Sequence, residues 1–129
     1  MFKSNKIKIG IADDHLLVRD GFVSILNSCK DFEVVFEVSN GKELLKALKE
    51  TQPDIVLLDI AMPVVDGITA IKEMQRKYSK VKIVVISAHS EPGSIIEYVS
   101  MGAIAFLSKI CTKATLITAI YEVYENGSY

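Results

Sequence analysis

The 129-residue chain lacks the segments that mark membrane, secreted or disordered proteins. No apolar run approaches the roughly 18 residues that a membrane helix needs, and no apolar stretch of signal-peptide length follows the first residues. A hydrophobic content of 50% and the lack of low-complexity runs or repeats argue against disorder. A chain of this length buries roughly two-thirds of its unfolded surface. We therefore expect one compact domain over residues 1–129, cytoplasmic and without membrane contact.

Cysteines, net charge and glycine motifs are also scarce. Cys29 and Cys111 form no C-x-x-C pair and have no histidine at metal-ligand spacing, so we interpret both as reduced packing residues. The net charge of −1 gives no electrostatic basis for binding nucleic acid directly. Neither G-x-G-x-x-G nor G-x-x-x-x-G-K-[ST] occurs, which excludes the usual dinucleotide and P-loop enzymes.

The segment Asp54–Gly67, which reads D-I-V-L-L-D-I-A-M-P-V-V-D-G, is the most informative stretch that is present. Its apolar residues Ile55–Leu58 run directly into Asp59. A strand that is apolar on both sides is typical of the centre of a parallel sheet. An acid at the end of such a strand lies at the ligand-binding edge. A single strand-end acid more often only caps or solvates, so the role of Asp59 depends on what other strands bring to it.

Strand-like and helix-like segments alternate five times along the chain. The predicted strands are Ile7–Ala12, Glu33–Val38, Ile55–Leu58, Ile83–Ile86 and Ala105–Leu107. The predicted helices are Leu16–Ser28, Gly41–Glu50 with Asn40 as N-cap, Gly67–Tyr78, Pro92–Met101 and Thr112–Glu125. This alternation predicts an α/β fold, a doubly wound five-stranded parallel sheet in the order 2-1-3-4-5 with helices on both faces.

Polar side chains follow four of the five predicted strands. Strand one ends in Asp13 and Asp14, strand three in Asp59, strand four in Ser87 and strand five in Lys109. In this strand order the crevice lies between strands one and three, at the edge where these residues meet. Each residue has an ordinary alternative as a helix cap, a backbone partner or a surface charge.

Three neighbouring carboxylates repel one another, by roughly 4 kcal/mol per pair at about 4 Å and an effective dielectric of about 20. A cation is therefore expected, and oxygen ligands suit Mg²⁺. Lys109 and Ser87 can contact phosphate oxygens, and Asp59 can then accept a phosphoryl group as an acyl phosphate. His15 and His89 lie nearby in the sequence, and we interpret them as loop residues rather than metal ligands.

The chain resembles response-regulator receiver domains, and its I-A-D-D-H and E-N-G-S-Y segments resemble the receivers of LuxR-type (NarL/FixJ-like) transcription regulators. The motifs are the acid pair, D-I-A-M-P-V-V-D-G, Ser87-Ala88, Gly102-Ala103 and Lys109, and they cover nearly the whole chain. The resemblance implies a flavodoxin-like receiver fold. It also implies a two-component signalling switch, phosphorylated by a histidine kinase in a Mg²⁺-dependent reaction. Such a domain is not an enzyme, although it assists its own phosphorylation and dephosphorylation.

The resemblance assigns a role to each residue around the predicted crevice. Asp59 would be the phosphoacceptor. Asp14, Asp59 and the backbone carbonyl of Ala61 would hold Mg²⁺, and Asp13 would act through metal-bound water.

Further roles fall on strands four and five. Ser87 would be the switch hydroxyl, Phe106 the aromatic residue that moves with it, and Lys109 the phosphate ligand. Many receivers place proline after this lysine, often with a cis bond, whereas this chain has Ile110. A non-proline cis bond costs about 3–4 kcal/mol, so the resemblance does not fix the geometry of this loop.

The last predicted helix carries a second apolar stripe, Ile117, Tyr121 and Tyr124, beside its core-facing stripe. Two alternatives stay open for these three residues. They either pack against a neighbouring helix or form the interface of a homodimer that tightens on phosphorylation. The resemblance to LuxR-type receivers implies dimerisation through helix faces.

The output of the domain is not readable from this sequence. We expect DNA contact only through a C-terminal output domain that is absent from the chain, which is then a fragment or a free-standing receiver.

A flavin-binding electron carrier would share the fold, but two acids after strand one would repel its phosphate. The remaining alternative is a receiver-like interaction module that works without phosphorylation, and the full set of acids, hydroxyl and lysine argues against it.

Overall fold

A single five-stranded parallel sheet is the centre of the fold in the computed structural model, which describes residues 6–59, 67–87 and 102–127. The strand order is β2-β1-β3-β4-β5, as the alternation of segments predicts. The strands are β1 Ile7–Ala12, β2 Phe32–Val38, β3 Ile55–Asp59, β4 Lys82–Ser87 and β5 Ala105–Ser108. The strands differ from the predicted bounds by one residue at most, at their ends.

Four helices lie within the described parts of the chain. They are α1 Leu16–Asn27, α2 Gly41–Glu50, α3 Gly67–Lys77 and α4 Lys113–Asn126. The helix expected over Pro92–Met101 falls outside the described residues. Among the described residues, no helix is long and apolar enough to cross a membrane.

Two of the helices begin at side-chain caps. Asn40 Oδ1 accepts a hydrogen bond from the Glu43 backbone N–H at 2.8 Å, and Glu43 Oε1 accepts from the Ser39 backbone N–H at 3.0 Å. This reciprocal pair satisfies donors at the start of α2 that have no partner within the helix. Thr112 caps α4 with one such bond, because its Oγ1 accepts from the Thr115 N–H at 3.1 Å.

The two faces of the sheet are buried by different helices. Along β3, Ile55 and Leu57 face the core cluster under α1 and α4, while Val56 and Leu58 face the cluster under α2 and α3. All four side chains have no solvent exposure. Full burial of such a side chain contributes roughly 1.5–3 kcal/mol, so the continuous apolar run is what holds β3 at the centre.

The three residues of the second stripe on the last helix lie in different environments, so neither packing nor a dimer interface accounts for all of them. Ile117 and Tyr121 are partly buried and pack against the cluster under α1 and α4. The Tyr121 ring lies 5.1 Å from that of Phe32, and its hydroxyl donates to Asp31 Oδ2 at 2.7 Å, which raises the pKa of Tyr121. Tyr124 is exposed. Packing therefore accounts for Ile117 and Tyr121, and only Tyr124 presents an open aromatic surface.

Both cysteines are free thiols, and both are partly buried. Cys29 and Cys111 pack against the cluster under α1 and α4. This agrees with their interpretation as packing residues.

Candidate functional site

The strand register brings the predicted residues to one edge of the sheet. Ala12 pairs with Leu58, so Asp13 follows β1 beside Asp59 at the end of β3. Asp59 pairs with Ile86, which places Ser87 one residue further along β4. Since parallel strands end at a common edge, β1, β3 and β4 deliver two acids and a hydroxyl to the same crevice.

Lys109 lies at the centre of this crevice. Its Nζ donates to Asp59 Oδ2 at 2.9 Å and to Asp13 Oδ1 at 3.3 Å, and it lies 2.7 Å from His15 Nδ1. The ammonium has three donors, and these three atoms are its acceptors. The Lys109 side chain is 7% exposed, and those of Asp13 and Asp59 are 0% and 1% exposed. Charges buried this deeply are stable only when paired, so the ammonium compensates both acids.

The loop after β5 is held by its backbone and by Ser108. The Lys109 N–H donates to the Ser87 carbonyl at 2.9 Å, and the Ile110 N–H donates to Ser108 Oγ at 3.2 Å. No peptide bond within the described residues is cis, so the Lys109–Ile110 bond is trans. The loop thus reaches the acids without the proline that many receivers carry at this position.

His15 is the residue whose position the sequence did not predict. It stands at the N-cap of α1 but makes no capping hydrogen bond with its side chain. Instead its Nδ1 lies 3.1 Å from Asp13 Oδ1, 3.3 Å from Asp14 Oδ1 and 3.7 Å from Asp59 Oδ2. Because a lysine ammonium only donates, Nδ1 accepts from Lys109 and the ring proton is assigned to Nε2. The only sequence signal was that His15 directly follows the acid pair.

Arg19 is a second residue that sequence reasoning missed. Its Nη1 donates to the backbone carbonyl of Asp13 at 2.9 Å, and its Nε lies 3.4 Å from Glu37 Oε1 on β2. Arg19 therefore ties the acid-bearing loop to α1 and to the edge strand. A charged residue within the apolar arc of the first helix was the available signal.

The residues at this edge fit a divalent cation. Asp13, Asp14, His15 and Asp59 each offer one ligand atom, and these atoms all lie within 4.8 Å of one another. Asp13 Oδ2 is buried and has no hydrogen-bond partner, which is costly unless a cation or water reaches it. Carboxylate oxygens are the ligands that Mg²⁺ prefers. The carbonyl of Ala61, expected from the resemblance to be a further ligand, falls outside the described residues, as does His89.

Ser87 and Phe106, the two residues predicted to form a switch, lie on the neighbouring strands β4 and β5. Ser87 ends β4 and is 7% exposed. Phe106 pairs with Val85 across β4 and β5, and it packs, partly buried, against the cluster under α2 and α3. The structure shows one arrangement of these residues, so their coupled movement stays a prediction.

A doubly wound sheet with paired acids, a hydroxyl and a lysine at its carboxyl edge defines the receiver class of α/β domains. Comparison with protein families matches residues 9–121 to the response regulator receiver domain. The chain belongs to this family.

The relatives it matches include transcriptional regulatory proteins and response regulators. The chain is 35% identical over 125 residues to the transcriptional regulatory protein DegU of Brevibacillus brevis, covering 97% of this chain and 53% of that protein. It is 33% identical over 123 residues to the response regulator UvrY of Escherichia coli, covering 95% and 56%. The chain spans about half the length of the curated relatives it matches.

Solved structures give the same result. The fold superimposes on the signal receiver domain of NarL from Mycobacterium tuberculosis with a TM-score of 0.88 and 32% identity, covering 94% of this chain and 98% of that one. A LuxR-family DNA-binding response regulator from Staphylococcus aureus superimposes with a TM-score of 0.86 and 26% identity, covering 92% and 99%.

Proposed function

We propose that this receiver accepts a phosphoryl group on Asp59 from a histidine kinase in a Mg²⁺-dependent reaction, and so controls transcription. The observation that carries the proposal is the buried Asp59 carboxylate, held at the end of β3 with the Lys109 ammonium 2.9 Å from its Oδ2. A structural role alone does not require a buried acid that shares its cation with a second acid.

The chemistry follows from the positions of these side chains. One carboxylate oxygen of Asp59 attacks the phosphorus of a phosphohistidine; the P–N bond breaks, its electron pair stays on the imidazole nitrogen, and a P–O bond forms. One N–H of Lys109 would stay close to Asp59. Its contacts to Asp13 and His15 would be replaced by contacts to phosphate oxygens. Asp13, Asp14 and Asp59 would hold Mg²⁺, which when bound neutralises charge on the transferring group.

The conformational response to phosphorylation would begin at Ser87. A phosphoryl group on Asp59 offers its hydroxyl a new acceptor, and the movement of Ser87 opens space for Phe106. The Phe106 ring carries no polar group, so turning it further inward leaves no unsatisfied donor. Water would later attack the phosphorus, so that the P–O bond to Asp59 breaks, inorganic phosphate leaves and the carboxylate is restored. Asp13, Asp14 and Lys109 would assist both the transfer and this hydrolysis.

Phosphorylation of Asp59 is tested by mass spectrometry after incubation with a small acyl-phosphate donor and Mg²⁺. We expect a single adduct on Asp59 that needs Mg²⁺ and is absent in Asp59→Asn. Asp54→Asn is the matched control, because Asp54 precedes the same strand at the opposite edge, where its Oδ2 accepts from the Lys8 N–H at 2.8 Å. An adduct that persists in Asp59→Asn contradicts the assignment. No adduct in the wild type would favour the phosphorylation-independent interaction module instead.

The output is proposed from the relatives. Because the chain matches only 53% and 61% of the length of two relatives named as transcriptional regulatory proteins, DNA contact is assigned to a region outside residues 1–129. The receiver assignment to residues 1–129, the cytoplasmic location and the homodimer through the last helix remain parts of this proposal.

A further inference from the structure

We propose that His15 is a nitrogen ligand of the cation site, so that the site binds Mn²⁺ and later first-row divalent ions in preference to Mg²⁺. The inference rests on the proposed cation site and adds a ligand that the acids alone do not supply. It concerns which ion the site selects.

The first support is the spacing of Nδ1 from the carboxylate oxygens. Ligand atoms about 2.1–2.2 Å from one ion lie about 3 Å apart when they are neighbours in its coordination shell. His15 Nδ1 lies 3.1 Å from Asp13 Oδ1 and 3.3 Å from Asp14 Oδ1. Its 3.7 Å distance to Asp59 Oδ2 is only slightly longer. Nδ1 is therefore spaced from the three carboxylate oxygens as one ligand is from its neighbours around a small ion, and all four atoms lie within 4.8 Å of one another.

The second support is the position of the Lys109 ammonium. Its Nζ already contacts Asp13 Oδ1, Asp59 Oδ2 and His15 Nδ1 at 3.3, 2.9 and 2.7 Å. A positive charge thus sits among these atoms, and the shortest contact is to the imidazole lone pair. An incoming metal ion would compete with the ammonium for the same lone pair.

The third support is the exposure of the ring together with a buried oxygen beside it. The His15 ring makes no capping bond to α1, and its side chain is 57% exposed, so packing does not hold it over the acids. Beside it, Asp13 Oδ2 is fully buried without a hydrogen-bond partner. A metal ion bound by both residues satisfies the orphaned oxygen and gives the ring a function.

The chemistry of the donor set predicts the selectivity. Mg²⁺ is a hard ion that prefers oxygen ligands and gains little from imidazole. For a site with a nitrogen donor, affinity rises from Mn²⁺ through Co²⁺ and Ni²⁺, and imidazole suits the later ions. Removal of His15 should therefore weaken Mn²⁺ binding much more than Mg²⁺ binding.

The test combines pulsed electron paramagnetic resonance of the Mn²⁺-loaded protein with calorimetric titration of Mn²⁺ and Mg²⁺. The chain has two histidines, so His89→Ala is the control for His15→Ala. We expect a directly coordinated histidine nitrogen in the wild type and in His89→Ala, and its loss in His15→Ala. Mn²⁺ affinity in His15→Ala should fall at least about tenfold, a scale on which even outer-shell changes act. Mg²⁺ affinity should change much less.

Three results would overturn the inference. They are a nitrogen signal that survives in His15→Ala, a signal lost only in His89→Ala, and an equal loss of Mn²⁺ and Mg²⁺ affinity, which would mean that His15 only positions the acids. None of these touches the proposed function, which is judged by the Asp59 adduct in Mg²⁺. Failure of the wild type to bind either ion would instead remove the cation site and this inference with it.

Discussion

At the scale of single residues, Lys109 holds two buried carboxylates together. Its ammonium lies 3.3 Å from Asp13 Oδ1 and 2.9 Å from Asp59 Oδ2. Removing one partner of a buried ion pair leaves the other charge uncompensated. The stability of this edge of the sheet is therefore expected to depend strongly on the Lys109 side chain when no metal ion is bound.

Replacing that side chain should destabilise the protein in a way that metal repairs. Lys109→Met is expected to lower the free energy of unfolding by about 3 kcal/mol, because Asp13 and Asp59 lose their cation. Added Mg²⁺ should then stabilise this variant more than the wild type, since binding to the folded state alone raises stability. Urea unfolding with and without Mg²⁺ measures both effects. The exposed Lys80→Met is the control, and equal behaviour of the two variants would show that the ammonium does not hold the acids.

The residues of the crevice show what the sequence can predict at this scale. Asp59, Ser87 and Lys109 follow strands, and strand ends share an edge, so their convergence followed from the alternation of segments alone. The contacts of His15 and Arg19 could not be predicted from that alternation. Whether a ring at a helix N-cap turns to the helix or to the acids depends on side-chain rotation and on packing between α1 and the loop, which no spacing in the sequence encodes.

At the scale of elements, α2 begins with a reciprocal cap between Ser39, Asn40 and Glu43. Glu43 receives hydrogen bonds from the backbone N–H and the hydroxyl of Ser39 at 3.0 and 3.1 Å, and these bonds lower the pKa of the Glu43 carboxyl below its usual 4.5. A carboxyl with a lowered pKa binds fewer protons in the folded state than in the unfolded state. Its contribution to stability is complete above about pH 4.5 and is lost as the pH falls through the folded-state pKa.

This cap gives α2 a pH dependence that can be measured. Glu43→Gln should be less stable than the wild type at pH 7, because the neutral amide accepts the Ser39 hydrogen bonds more weakly. The difference should shrink at pH 3, where the wild-type carboxyl is itself becoming protonated. Chemical unfolding at the two pH values provides the test. Glu50→Gln, at the other end of α2, should not lose stability, and a Glu43→Gln deficit that is the same at both pH values would contradict the cap as its source.

The last helix shows where periodicity reaches its limit. A stripe at 100° per residue identifies which side chains share a face, so the core positions Leu116 and Val123 could be predicted. The periodicity does not identify the residues that pack on a second face of the helix. Tyr121 is covered because Phe32 and Asp31 lie beside it, and tertiary packing rather than helical periodicity brings them there.

At the scale of the whole molecule, the homodimer proposal now depends on Tyr124, which is 39% exposed. We expect self-association that strengthens on phosphorylation and weakens in Tyr124→Glu, because a carboxylate there would be desolvated at the interface. Sedimentation with and without an acyl-phosphate donor and Mg²⁺ measures it. Thr118→Glu, an exposed position on the same helix, is the control. If Tyr124→Glu associates as the wild type does, or if the wild type stays monomeric when phosphorylated, this face is not the interface.

Lys82 fixes the end of the last helix beside the start of β4. Its Nζ donates to the carbonyls of Val123 and Tyr124 at 3.1 Å each, which ties the last turn of α4 to the first residue of β4. Ser87, at the far end of β4, is five residues away, or about 16 Å along an extended strand. A fluorescent protein fused after Gly127 would therefore emerge at the edge opposite the acids and leave the crevice open. The chain is thus suited to carry an optical reporter that does not cover the acids.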